Sequence, residues 1–429
     1  MKFLDGINKE NLSWALYDWA NSAYATTVLA VFFPVFFSEF WSSGADPSVT
    51  TARLGIANSL IGVVLMIIAP FLGTMSDISG SKKKYLLLAT AGGAVSTAAL
   101  FFTGSGEWAK ALLLYSASSV CFSTGLIFYD ALLSSVAGKD KFNVVSSFGY
   151  SLGYLGGGIL LSVNIIMTLN PQAFGLDSGS DAVRMSFVTV AAWWMLFSIP
   201  LFILVKEKSC GIHKEGFYIR IKKSISQISD TFSHIRDIRS VYLFLIAYWL
   251  YIDGVDTIIR MAMDFGLSIG LERNSLIKAL LITQFVGFPA ALTAGLIFKG
   301  KDGARKGITI SIISYLLITV LGATMTSEFH FYLLAAAVGL VQGGIQALSR
   351  SYFAAIIPED KNGEFFGFYN MIGKFAVILG PLFIAVTGLT LRNMGLSSEA
   401  ASRGGVMSVA VFFVLGGIIF YMSGRDRQG

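Results

Sequence analysis

Charge is scarce in this chain. Asp, Glu, Lys and Arg make up 14% of its 429 residues, where a soluble domain carries about a quarter. That shortage argues against an ordinary water-soluble fold of this length. Cysteine is rarer still. Cys121 sits in an apolar segment and Cys210 in a basic loop, so neither a disulfide framework nor a thiolate metal centre is expected. The three histidines, His213, His234 and His330, are dispersed and form no ligand cluster, so no metal is expected. A Walker-type phosphate loop is missing, which excludes ATP as the direct energy source, and no nucleophile–base constellation points to an enzyme. No cofactor is implied. A cleavable signal peptide is not expected, because the first apolar segment is too long and lacks a small-residue end.

Apolar residues are abundant: 54% of the chain, with mean hydropathy +0.68. They fall into twelve segments, at 12–40, 52–76, 85–103, 109–137, 144–169, 184–205, 240–264, 275–298, 307–325, 330–357, 365–390 and 404–422. Most reach the roughly 20 residues that span a bilayer as a helix. Strands in lipid would need a closed barrel of short alternating segments, so helix is the expected state. The expected class is therefore an all-α membrane protein with twelve transmembrane helices.

The net charge of +6 and pI of about 9.1 have a positional explanation. Lysine and arginine cluster in alternate loops, such as Lys82, Lys83 and Lys84, and Lys299, Lys301, Arg305 and Lys306. The positive-inside rule then puts both termini in the cytoplasm. No basic stripe is interleaved with aromatics, so nucleic acid is not an expected partner. Residues 206–239 form the longest polar stretch. Within it, Phe217–Ile235 reads either as an amphipathic helix on the anionic leaflet or as a solvated linker.

The two halves echo each other. "GTMSDISGSKKK" (Gly73–Lys84) is matched by "GLIFKGKDGARK" (Gly295–Lys306), Asp130 by Arg350, and "SFGY" (Ser147–Tyr150) by "FFGF" (Phe365–Phe368). Offsets near half the chain predict a 6+6 duplication: a bundle over 1–205, a basic linker over 206–239 and a bundle over 240–429. Transporters built this way hold substrate between the halves, near the midplane.

The first loop, with Gly73, Asp77, Gly80 and the lysine triplet, resembles the loop 2–3 signature of the major facilitator superfamily. Its glycines permit a tight turn. Asp77 can accept hydrogen bonds from a facing helix N-terminus or cation, which predicts a gate latch rather than a substrate site. In the second copy the matching position is Lys299, so a weaker latch is expected there. The longer motifs "WALYDWANSAYATTV", "FGYSLGYLGGG", "YWLYIDGVDTII" and Gln342–Pro381 together resemble the vacuole-effluxer branch of that superfamily. The resemblance implies the twelve-helix, two-bundle fold, and points to amino acids as cargo and to export. The chain departs from relatives at Asp130 and Asp256, where a neutral residue is common.

Charges inside apolar helices are costly and mark function. Asp18, flanked by Trp19 and Asn21, lies a third of the way into the first helix. Either it or Asp130 is expected to meet Arg350 across the two halves, or to bond within its own half. In the seventh segment Asp253, Asp256, Arg260 and Asp264 share one helical face. Arg260 can pair with Asp256 or Asp264. Asp253, two residues past Tyr251, is left as a proton carrier or as part of a static ladder; a desolvated, unpaired carboxylate binds a proton more readily. Lys374, one turn past Asn370, can hold a substrate carboxylate or pair with Asp253 or Asp256. Gln284, Gln342 and Gln346 can bond a ligand or a neighbouring helix.

The expected function is secondary transport of a small polar or zwitterionic, amino-acid-like metabolite by alternating access, with proton-coupled efflux. Proton-driven uptake of the same solutes and export of lipids or drugs are the alternatives. The expected partners are the substrate, protons and the bilayer, and the expected state is a monomer.

Overall fold

The computed structural model describes residues 7–207, 238–268 and 270–424, without the side chains of 47, 48, 263, 264, 267, 268, 273, 360, 374–378 and 398. Twelve long helices follow one another among the described residues. They are α1 (Lys9–Trp41), α2 (Pro47–Ser79), α3 (Lys82–Phe102), α4 (Trp108–Val136), α5 (Phe142–Leu169) and α6 (Gly179–Leu204), then α7 (Arg239–Ser268), α8 (Arg273–Ile297), α9 (Gly300–Thr324), α10 (Glu328–Ile356), α11 (Asn362–Asn393) and α12 (Glu399–Met422). Judged on the described residues, eleven are long and apolar enough to cross a membrane. The other, α11, has 32 residues and so runs about 48 Å.

Each helix core matches an apolar segment of the sequence, but several begin earlier than the apolar run. Caps explain this. Ser178 accepts from the Asp181 amide and opens α6, and Ser327 does the same for His330 at α10. Asn8 and Asn11 cap α1 reciprocally, at 3.0 and 2.7 Å. A polar first turn is held by such bonds to otherwise orphaned amides, so the helix extends past its greasy core. The α1 backbone passes into π-helical winding over Tyr24–Phe32 and Phe37–Trp41.

The duplication is visible in detail. Arg184, at the start of α6, donates to the Phe101 carbonyl at the end of α3 and is backed by Asp181. Arg403, near the start of α12, donates to the Ala323 carbonyl at the end of α9 and is backed by Glu399. A cation on the last carbonyls of a helix is favourable for both hydrogen bonding and dipole.

The chain packs as two compact units. The first holds the chain up to Ala137, the part from Leu152 through α6, and Asn362–Gly367. The second holds Gly138–Ser151, α7 through Lys361, and Phe368 onward. Helices α5 and α11 thus contribute to both. Aromatic clusters centre each unit: Trp14, Tyr17 and Tyr129, with Phe33, Trp41 and Tyr115, in the first; Phe244, Tyr352, Phe353 and Phe420 in the second. The Phe217–Ile235 stretch, Cys210, His213 and His234 lie outside the described residues.

Candidate functional site

The α2–α3 turn builds a cap for another helix. Gly80 takes φ 59°, which only glycine adopts without strain, and its amide and that of Ser81 close α2 on Asp77 and Ser76 carbonyls. This leaves the Asp77 side chain free to reach α11, whose own N-cap residue, Lys361, supplies no side-chain bond. Asp77 Oδ1 accepts from the Gly363 amide at 3.0 Å and Oδ2 from the Glu364 amide at 2.8 Å. Lys82 closes a 2.6 Å ion pair with Oδ1. Gly73 makes the approach possible, because a Cβ there would overlap the Gly363 carbonyl. Gly73, Asp77, Lys82, Gly363 and Glu364 all belong to the first unit.

The second copy of the loop is held differently. Lys299 stands at the position matched to the acid, and the bond comes from the opposite side: Asn143, at the start of α5, donates Nδ2 to the carbonyls of Phe298 and Gly300. Gly295 packs on Ser147, where a Cβ would clash. The loop accepts in both copies, but here backbone carbonyls accept from a side chain, where in the first copy a side chain accepts from backbone amides. Asn143, Phe298 and Gly300 lie within the second unit.

Deeper in the first unit, Asp18 of α1 is buried. Its Oδ2 accepts from the Tyr129 hydroxyl of α4 at 2.8 Å. Tyr129 is itself held by Trp14, which stacks on its ring at 4.4 Å and donates to its carbonyl. Asp130, the next residue, is also buried. Trp19 stacks on Trp193 of α6 and accepts from it at the backbone. Asn21 is buried, and its Nδ2 has no hydrogen-bond partner among the described residues. Glycines Gly153, Gly156 and Gly157 of α5 bring that helix against Asp18, Trp19, Ser22 and Thr26, as small residues do between membrane helices.

In the second unit Arg350 of α10 is 1% exposed. It donates Nε to Ser146 Oγ at 2.9 Å and Nη2 to the Ser146 carbonyl at 3.0 Å, and lies 4.3 Å over the Tyr150 ring. Hydrogen bonds and a π-face therefore meet part of the cost of burying this cation. Tyr251 of α7 shares a 2.7 Å hydrogen bond with Ser349, beside Arg350. Asp253 is fully buried; Oδ1 accepts from the Gly380 amide of α11 at 2.9 Å and from Thr257 at 3.3 Å.

The structure does not keep the α7 charges equivalent. Asp253 is buried, Asp256 half-buried and Arg260 exposed. The side chains of Asp264 and Lys374 lie outside the described residues. Gln284 is buried, while Gln342, Gln346 and Asn370 are half-buried. Gln342 Oε1 is buried and has no hydrogen-bond partner among the described residues. Sequence reasoning missed Tyr129, Ser146, Tyr150, Asn143 and Gly380. The first four are neutral residues that a search for intramembrane charge passes over. Gly380 adjoins Pro381 inside a helix, and that pair was the available signal.

Comparison with known proteins agrees with this architecture. The family model described as "Vacuole effluxer Atg22 like" matches residues 48–428. The uncharacterized MFS-type transporter YxiO of Bacillus subtilis (strain 168) is 40% identical over 96% of this chain and 94% of its own. Autophagy-related protein 22 of Eremothecium gossypii is 20% identical over 95% of this chain and 91% of its own. Among solved structures, the human organic anion transporter MFSD10 aligns with TM-score 0.70 at 13% identity, over 96% of this chain and 99% of that one. The proton:xylose symporter XylE aligns with TM-score 0.67 at 12% identity, over 96% and 94%. At such identities these two speak for the fold, which is that of the major facilitator superfamily.

Proposed function

The chain belongs to the Atg22-like vacuole effluxer family of major facilitator transporters, and from that premise we propose that it exports a small polar or zwitterionic, amino-acid-like metabolite in exchange for protons. The observation that carries the proton coupling is Asp253, a fully buried carboxylate with one oxygen, Oδ2, lacking any hydrogen-bond partner among the described residues. Such a group is costly in a membrane helix unless it is used. Lys374, on the same helix as Gly380, is the candidate for the substrate carboxylate. Asp77, with Gly73 and Gly80 shaping its approach, acts as the latch of the cytoplasmic gate by capping α11.

The working cycle is alternating access between bundles 1–205 and 240–429, in a bacterial plasma membrane with both termini in the cytoplasm. Flux of labelled amino acids in proteoliposomes tests the reading. The wild type is expected to show flux that an imposed pH gradient accelerates, and Asp253→Asn is expected to lose that acceleration. An equal gradient response in both proteins overturns the assignment of Asp253. Reversing the gradient decides between efflux and uptake.

A further inference from the structure

Helix α11 carries a proline beside the point where a carboxylate touches it. Pro381 lies inside α11. It has no amide hydrogen and leaves the carbonyl four residues earlier without its usual donor, which is how prolines kink helices. Immediately before it, the Gly380 amide donates to Asp253 Oδ1 of α7 at 2.9 Å. The contact requires glycine. A Cβ on residue 380 would overlap Thr257 Oγ1 and stand 2.8 Å from Asp253 Oδ1. Asp253 and Thr257 are 0% and 1% exposed, and Asp253 Oδ2 has no hydrogen-bond partner among the described residues. All these groups lie in the second unit.

Among the described residues, the charged and titratable groups around Asp253 are few. On its own helix Asp256 follows one turn later, and the Tyr251 hydroxyl is turned to Ser349 of α10. From α11, Lys374 precedes Gly380 by six residues, roughly 9 Å along the axis; its side chain lies outside the described residues. From α12, the apolar ring of Phe413 packs on Gly254. Tyr248 stacks on Tyr369 of α11 at 4.2 Å.

An ionised carboxylate accepts a hydrogen bond roughly twice as strongly as a neutral group. A proton taken up on Oδ2 forms one O–H bond and converts Oδ1 into a weaker, carbonyl-like acceptor; no other covalent bond changes. We propose that Asp253 is a proton-operated clamp on the Gly380–Pro381 step of α11: ionised, it holds the Gly380 amide and fixes α11; protonated, it lets Pro381–Asn393 pivot. The proposal rests on the proton-coupled reading above and gives it a mechanical output.

Distance measurement between two spin labels tests it in the full-length protein in nanodiscs. One label replaces Leu389 of α11 and the other Leu333 of α10; both positions are exposed and in the same unit. The wild type is expected to shift its distance distribution between alkaline and acid buffer. Asp253→Asn keeps an oxygen for the Gly380 amide but does not ionise, so its distribution is expected to be the same in both buffers. Asp253→Leu, which offers no acceptor, is expected to show the acid-like distribution in both. A wild-type distribution that ignores pH overturns the clamp. So does a full shift in Asp253→Asn, or an alkaline-type distribution in Asp253→Leu. The readout needs no substrate and no gradient. A pH-dependent shift without amino-acid flux defeats the transport reading alone, and flux without the shift defeats the clamp alone.

Discussion

A tyrosine hydroxyl holds the first intramembrane acid. Asp18 costs several kcal/mol in lipid unless it is bonded or hydrated, and its described bond is to Tyr129, 111 positions away in the chain. Tyr129→Phe removes this donor from the buried carboxylate. The expected loss is about 1–3 kcal/mol, read as a lower melting temperature of the purified protein. The same substitution in an Asp18→Asn background is expected to cost less, because the two effects are coupled; equal costs in both backgrounds would show that the hydroxyl does not serve the acid. The charges themselves were readable from the sequence, since Asp18, Asp253 and Arg350 each interrupt an apolar helix. Their partners were not. Tyr129, Ser146 and the Gly380 amide are neutral, distant in sequence and ordinary in composition, and only the packing of helices selects them.

Helix extents were legible for the same reason the charges were: lipid demands long apolar stretches, and each such stretch became a helix. What escaped was how helix ends are satisfied. Asp77 could be read as an acceptor looking for a helix N-terminus, but nothing in the chain marked α11 as that helix. The geometry, with one oxygen on each of the amides of Gly363 and Glu364, is that of an N-cap supplied by another helix. Asp77→Ala is expected to cost about 1 kcal/mol, as lost caps do, and to speed hydrogen exchange at those two amides. Lys82→Ala is expected to do less, about 0–1 kcal/mol, because the ammonium is partly exposed and screened by salt. If both substitutions leave exchange at those amides unchanged, the α11 start is held by something other than this carboxylate. The degraded second copy shows the limit of motif reading. Losing the acid at Lys299 did not strip the loop of bonds, because Asn143 supplies them from the other side.

Across the whole molecule, the duplication makes a quantitative prediction. Arg184 on the Phe101 carbonyl and Arg403 on the Ala323 carbonyl perform one task twice, each with an acid one turn before it. The two staples lie in different units and share no described partner. Each arginine ties the end of one helix to the start of another, so removing its side chain costs a charge-assisted bond of about 1.5–3 kcal/mol. Solvent around the partly exposed Asp181 and the exposed Glu399 reduces that figure. Sites without shared partners add within about 0.3–0.5 kcal/mol. Arg184→Ala and Arg403→Ala are therefore each expected to lower the melting temperature, and the double variant is expected to show the sum. A double variant no worse than the weaker single one would mean that unfolding begins in one unit and never tests the other staple. A loss well beyond the sum would mean that the two helix ends support each other, and the reading of the repeats as separately stapled units would fall.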